Sequence, residues 1–311
     1  MAEATIFPTV WWDGKLMPYE NATINVTQIG TASVSSVFEG IRAYMNPQTG
    51  ELAIFQLDAH LKRFLQSIRL VRLECAYTLQ DLHDAALALL RANQPATDVY
   101  LRPFAYAESR TFGSATSTRA QVILHVAAWE SKLQSGAVSH AAVSSWTRLS
   151  DNQMAPRVKA SANYLNSRYA AEEAKRNGYD HALLLTPQGK VAEGPGMCLM
   201  LARDGKLVTP SVTSDILESI TRETVMQIAR EKLNLAVVER AVDRTELYTS
   251  AEAFFCGTGI EIVPIVSVDR LALGDGKPGV ITQRVQTAYH DIVRGIDASY
   301  PEWRTVVGAA A

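Results

Sequence analysis

The apolar positions of this chain change period several times, and each change predicts an element. Thr9-Val10-Trp11-Trp12 and Lys15-Leu16 flank Asp13-Gly14, the dipeptide of a tight hairpin. Val37 to Tyr44 and Leu52 to Phe55 read as strands, joined by the turn-rich Asn46-Pro47-Gln48-Thr49-Gly50. From Asp58 to Leu73 the spacing becomes helical, with Leu61, Phe64, Leu65, Ile68 and Val71 on one stripe. Thr78-Leu79-Gln80-Asp81 resembles a capping box, with Asp in place of Glu, and opens a helix to about Asn93. Strands are expected at Val99 to Tyr106, Gln121 to Ala128 and Ala141 to Trp146. The polar stretch Glu130 to Gly136 is a candidate interdomain linker.

The second half mixes the same elements without repeating the sequence. A helix is expected from Ser161 to about Asn177, ended by Gly178. Short strands follow at Ala182 to Thr186, Val191, Cys198 to Leu201 and Leu207 to Val208. A helix from about Ile220 to Leu233, strands at Ala236 to Val238, Ala253 to Cys256 and Ile260 to Val266, and a last helix over Val280 to Arg294 complete the reading. The alternation suggests two α/β domains.

Composition narrows the class. The chain has 311 residues, 47% hydrophobic and 20% charged, as in an ordinary globular protein with room for two domains. Net charge is −2, with no basic block, so nucleic acid is not an expected partner. No basic region followed by an apolar core opens the chain, and no apolar run could span a bilayer. Cys75, Cys198 and Cys256 are odd in number and scattered, which argues against a disulfide framework or a cysteine zinc site. The six histidines show no ligand spacing, so no metal is expected, and the expected compartment is the cytoplasm.

The candidate chemistry centres on Lys159-Ala160-Ser161-Ala162-Asn163-Tyr164 and Glu193-Gly194-Pro195-Gly196. A lysine among small residues can form a Schiff base with an aldehyde cofactor. A carboxylate at a turn can keep a pyridine nitrogen protonated, so that the ring accepts electrons from a substrate carbon. Together they suggest pyridoxal 5'-phosphate (PLP). A phosphate needs donors, and Ser219-Ile220-Thr221-Arg222 opens a helix whose N-terminus favours an anion. Gly257-Thr258-Gly259 follows a strand, and its small residues allow close approach. Arg63 is a candidate for the balancing charge. Tyr100 and Arg102 share one face of a strand and suit a carboxylate. Each has an ordinary alternative: a surface lysine, a turn carboxylate, a plain Gly-Thr-Gly turn, or an edge-strand arginine beside Pro103.

These pieces fall in one order, from Val37-Phe38-Glu39-Gly40-Ile41-Arg42 and Tyr100-Leu101-Arg102-Pro103 through Ser144-Ser145-Trp146, Lys159 and Glu193-Gly194-Pro195-Gly196. Leu217, Ile220-Thr221-Arg222 and Cys256-Gly257-Thr258 complete the series. In this the chain resembles the class IV aminotransferases, with the branched-chain amino acid aminotransferases nearest, over about Trp11 to Arg294. The resemblance implies the α/β (α+β two-domain) architecture of a fold-type IV PLP enzyme. A small N-terminal α/β domain (1-129) and an interdomain loop (130-140) would precede a larger C-terminal β-barrel-like PLP-binding domain with helices (141-311). It implies Lys159 as the Schiff-base lysine and proton shuttle, Glu193 at the pyridine nitrogen, and Tyr164 at the phenolic oxygen. Arg63, Ile220, Thr221 and Thr258 would hold the phosphate, and Leu217 would pack on the ring. Phe38, Tyr100 and Arg102 would line the substrate pocket, with Thr258, Gly259, Ser33 and Trp129 beside them. A homodimer or higher homo-oligomer is implied, with a loop around Phe112 of the neighbouring subunit reaching the site.

The chain departs from the family at Ser33, where tyrosine is usual, and at Trp129-Glu130-Ser131-Lys132, where Trp-Gly-Ala-Tyr is usual. Met197-Cys198-Leu199 replaces a segment with Asn, and Gly259 stands where Ala is common. The expected reaction is transfer of an amino group between an L-amino acid, branched-chain or related hydrophobic or aromatic, and a 2-oxo acid such as 2-oxoglutarate. Alternatives on the same scaffold are a D-amino acid or (R)-amine transaminase and an aminodeoxychorismate lyase. A non-catalytic binding homologue is the alternative from another class.

Overall fold

A computed structural model describes residues 5–107 and 119–308. The strands and helices in chain order begin with the hairpin β1 (Thr9–Trp12) and β2 (Lys15–Pro18), then α1 (Ile29–Val34), β3 (Val37–Phe38), β4 (Ile41–Met45), β5 (Leu52–Phe55), α2 (Leu57–Leu70) and α3 (Leu79–Asn93). Next come β6 (Val99–Ala107), β7 (Ala120–Ala128), β8 (Ser139–Thr147), α4 (Asn163–Arg176), β9 (His181–Leu185), β10 (Cys198–Arg203) and β11 (Lys206–Thr209). The chain continues through α5 (Ile220–Gln227), β12 (Val237–Glu239), α6 (Glu246–Thr249), β13 (Glu252–Gly257), β14 (Glu261–Val268), β15 (Leu271–Ala272), α7 (Val280–Val293) and β16 (Arg304–Val306).

Contacts divide the chain into two compact units. The first comprises Met1–Glu130, Val158–Ala162 and Asp291–Ala311; the second comprises Ser131–Arg157 and Asn163–His290. Lys159 therefore belongs by its contacts to the first unit, with β16.

The first unit is an antiparallel sheet in the order β16-β5-β4-β6-β7-β1-β2, with β3 also on β6. The expected strand over 37–44 is divided in two, and Pro103 is the reason. The register is continuous, pairing Phe38 with Phe104 and Ile41 with Leu101. Opposite Glu39 the ladder needs a donor from residue 103, and proline has none. Glu39 N still donates to Pro103 O at 2.8 Å. The edge position suggested by Pro103 is thus corrected: β6 is an interior strand flanked by β4 and β7. Helix α2 buries Leu61, Phe64 and Ile68, as its period requires, but stops at Leu70 rather than Leu73 because Arg72 adopts φ +65°. The capping box of α3 is present in both directions between Thr78 and Asp81.

The second unit holds a mixed sheet in the order β12-β11-β10-β13-β14-β8-β9, with β15 on β14. The β14–β8 and β8–β9 pairs are parallel. Its core gathers Leu199, Leu201, Phe255 and Ile265, all nearly inaccessible. Helix α4 starts at Asn163, two residues later than expected, and Gly178 follows its end with φ +76°. The helix expected to reach Leu233 is α-helical only to Gln227, and Ile228–Lys232 widen into a π-helical turn. Helix α1 and strand β16 carried no periodic signal; both are too short to show one.

Candidate functional site

In the first unit, Lys159 sits on an extended segment, not on a helix. Its carbonyl accepts from Phe38 N at 3.0 Å, and its own N–H donates to Ser67 Oγ at 3.3 Å. Ser161 N donates to Ser36 O at 2.9 Å, and the Ser36 and Ser161 hydroxyls lie 2.7 Å apart. This clamp delays the start of α4. Lysine Nζ lies 4.9 Å from the centroid of the Phe38 ring, and Arg102 Cζ lies 4.8 Å from the same centroid. Each distance is within the range of a cation–π contact. Tyr100 packs against Trp129 with centroids 5.2 Å apart. Gly40 permits this: a Cβ there would stand 1.6 Å from the Tyr100 hydroxyl oxygen. Ser33 lies on α1 and is exposed; its carbonyl accepts from Ser36 Oγ at 2.7 Å. Phe112 lies outside the described residues.

Arg63 projects from α2 onto Glu39, with Nε 2.7 Å from Oε1 and Nη2 2.9 Å from Oε2. His60 Nδ1 is 2.7 Å from Glu39 Oε2. Glu39 is inaccessible and His60 nearly so. Burial alone would raise the Glu39 carboxyl, but Arg63, and then His60, hold it well below the usual range. Burial lowers His60 despite the neighbouring carboxylate, so the imidazole is neutral and Nδ1–H donates. Glu39, His60 and Ser67 were not among the expected site residues. The available signal was the spacing His60, Arg63, Ser67 on α2, a polar stripe beside its apolar one.

In the second unit, Glu193 is buried at 3% exposure. Arg148 Nη2 lies 2.9 Å from its Oε1, and Leu217 N donates to both oxygens at 3.3 Å. The Cys198 thiol donates at 3.7 Å to Oε2. Arg148 and Cys198 were also not anticipated. Glu193 opens a turn in which Gly196 takes φ +136°, and a Cβ there would come 3.5 Å from Tyr164 Cε1. Tyr164 therefore stands beside this turn.

Helix α5 begins at Ile220, with Ser219 as N-cap accepting from Arg222 N at 3.2 Å. The Thr221 and Thr258 hydroxyls lie 3.3 Å apart. Gly259 follows and is exposed. Arg222, by contrast, turns to Thr209 Oγ1, Pro210 O and Glu239 Oε2, so its charge serves the framework. The arrangement offers hydroxyls and a helix N-terminus for an anion, and a buried ionisable carboxylate for a ring nitrogen. Among the described residues no group of three or more His, Cys, Asp or Glu could hold a metal ion, and no helix is long and apolar enough to cross a membrane.

Comparison with known proteins identifies the family. The family described as amino-transferase class IV matches residues 36–268. A probable branched-chain-amino-acid aminotransferase of Aquifex aeolicus is 35% identical over 298 residues, 96% of each chain. The branched-chain amino acid aminotransferase of Thermobaculum terrenum, solved in its PLP form, shares 45% identity at a TM-score of 0.95, covering 97% of this chain and 99% of that one. The branched-chain aminotransferase of Thermoproteus uzoniensis, solved with norvaline, shares 37% identity at a TM-score of 0.90, covering 98% and 100%. On this footing the chain belongs to the class IV aminotransferases, enzymes of the fold-type IV architecture whose cofactor is PLP.

Proposed function

We propose that this aminotransferase moves an amino group between an L-amino acid with a branched-chain or related hydrophobic side chain and a 2-oxo acid such as 2-oxoglutarate. The observation that carries the reading is the approach of Lys159 Nζ and Arg102 Cζ to one Phe38 ring, at 4.9 and 4.8 Å from its centroid. It offers an apolar wall next to an amine for chemistry and a guanidinium for a carboxylate. The names of the Aquifex, Thermobaculum and Thermoproteus relatives support the same substrate class.

The residues fit PLP. Glu193, buried against the Arg148 guanidinium, suits a protonated ring nitrogen, and Tyr164 beside its turn suits the phenolic oxygen. Leu217 would pack on the ring. The N-terminus of α5 at Ile220, with the Thr221 and Thr258 hydroxyls, suits a dianionic phosphate, and Arg63 would add positive charge. When bound, PLP supplies an aldehyde for the amino group and a ring that draws electrons from the substrate α-carbon. Lys159 would hold the cofactor and, as a free amine, would serve as the base that takes the substrate's α-proton and then as the acid that gives it back. Tyr100 and Arg102 would orient the substrate carboxylate, with Trp129, Ser33 and Gly259 the further candidates for substrate contact, in an enzyme that works as a homodimer. Because the amino group would stay on the enzyme when the first 2-oxo acid leaves and pass to the second one, kinetics would be ping-pong.

The test is the visible spectrum of the PLP-loaded protein with L-isoleucine and, separately, D-alanine. Bleaching by the L-acid alone supports the reading. Bleaching by the D-acid, or by neither, overturns the substrate class.

A further inference from the structure

Arg148 follows β8, and its position is over-determined. Its N–H donates to Leu185 O at 2.8 Å and its Nε to Asp215 O at 3.3 Å, while Nη2 meets Glu193 Oε1 at 2.9 Å. Both side chains are almost sealed, at 7% and 4% exposure. Its third nitrogen, Nη1, is buried with no acceptor among the described residues. An ion pair kept for stability alone has no reason to bury an unsatisfied donor, because such pairs are readily replaced by apolar groups. What the pair does accomplish is electrostatic. A buried carboxylate without a counter-charge takes up a proton. A carboxyl in that state cannot accept from a ring N–H and balance its charge.

We propose that Arg148 is a positioning residue that keeps Glu193 ionised and aimed, and thereby sets the charge on the ring nitrogen of bound PLP. This rests on the assignment of Glu193 to that nitrogen. The Leu217 N–H bonds steer the same carboxylate but bring no charge, and the Cys198 thiol is a weak donor. Arg148 is therefore the full positive charge in direct contact with Glu193 among the contacts described.

The experiment measures PLP affinity by equilibrium dialysis, the pH transition of the bound cofactor's visible band, and apoprotein melting. The proteins compared are wild type, Arg148→Met, Arg148→Lys, Glu193→Gln and the Arg148→Met/Glu193→Gln double variant. Arg148→Met is expected to weaken PLP at least tenfold and, separately, to shift the band's transition by about one pH unit or more, a tenfold change in that protonation equilibrium. Arg148→Lys restores most of both. The double variant binds PLP no more weakly than Glu193→Gln alone, because the arginine acts through the glutamate. Wild-type affinity and transition in Arg148→Met, with only its melting lowered, overturns the proposal, as does full additivity in the double variant. If Arg148→Met does not fold, Arg148→Gln serves in its place, and an unshifted band there overturns the proposal equally. Wild-type PLP affinity and spectrum in Glu193→Gln instead strike the assignment of Glu193 itself.

Discussion

Arg63 grips both oxygens of the inaccessible Glu39, at 2.7 and 2.9 Å, across 24 residues of chain, with its own side chain 11% exposed. Glu39 lies next to Phe38, so the pair would tie the proposed pocket wall to a proposed phosphate ligand. Glu39→Gln keeps the shape, removes the charge and leaves Arg63 without its counter-ion. The expected loss is about 3 kcal/mol of stability, read from urea unfolding, in the range for breaking one side of a buried pair.

The same cluster should make the protein acid-sensitive. His60 has a lowered folded pKa, so the unfolded chain binds a proton near the ordinary 6.5 that the folded chain refuses. Stability from this source is complete above that value and declines as pH falls below it. Glu39 is depressed from 4.5, so its contribution is present above 4.5 and fades as pH falls further. Melting temperature should be flat near neutrality and drop in two stages on acidification. In Glu39→Gln the lower stage should be missing.

His125, the cross-strand partner of Arg102, extends this behaviour. Burial first, and then the Arg102 charge, bring its pKa down from 6.5 to about 4. Its Nδ1 is buried without a hydrogen-bond partner among the described residues. Stability should therefore fall between pH 6.5 and 4 by no more than about 3 kcal/mol from this residue. His125→Leu removes that part of the acid slope. A slope unchanged in the variant would assign the loss elsewhere.

Two glycines should respond in opposite ways. Gly40→Ala drives a methyl to 1.6 Å from the Tyr100 hydroxyl oxygen, so Tyr100 must leave its place against Trp129. Transamination should fall at least tenfold, with about 1–3 kcal/mol of stability lost to overpacking. At Gly259 an added Cβ meets nothing within 4 Å. Gly259→Ala should leave stability unchanged or raise it by up to about 1 kcal/mol, by restricting the unfolded chain. Thermal melts and initial rates of both variants decide this.

Cys198 and Cys256 are directly paired on neighbouring strands and buried, yet they should resist alkylation. Burial, with the Glu193 charge behind it, raises the Cys198 thiol well above its ordinary value, and burial pushes Cys256 up to about 12. Thiolate is the reactive form, and both are starved of it. Mass spectrometry after iodoacetamide at pH 8 should find these two unmodified in folded protein and modified in urea. Early labelling of either would show that the sheet opens there.

Most elements were legible in sequence because their signals are local. The Asp13-Gly14 hairpin, the Thr78–Asp81 capping box and the stripe of α2 all depend on residues within one or two turns. The order of motifs was enough to indicate the family and its cofactor. What only tertiary structure decided lies where distant residues share one buried volume. Pro103 reads locally as an edge residue, yet it sits inside a sheet, because the missing N–H faces a gap that Glu39 leaves. Lys159 precedes a helix in sequence but is held extended by Phe38 and Ser67. The partners of Glu39 and Glu193 stayed hidden for one physical reason. Charge pairing in a dry interior depends on which surfaces the sheets bury together, and periodicity reports only which face of an element is apolar.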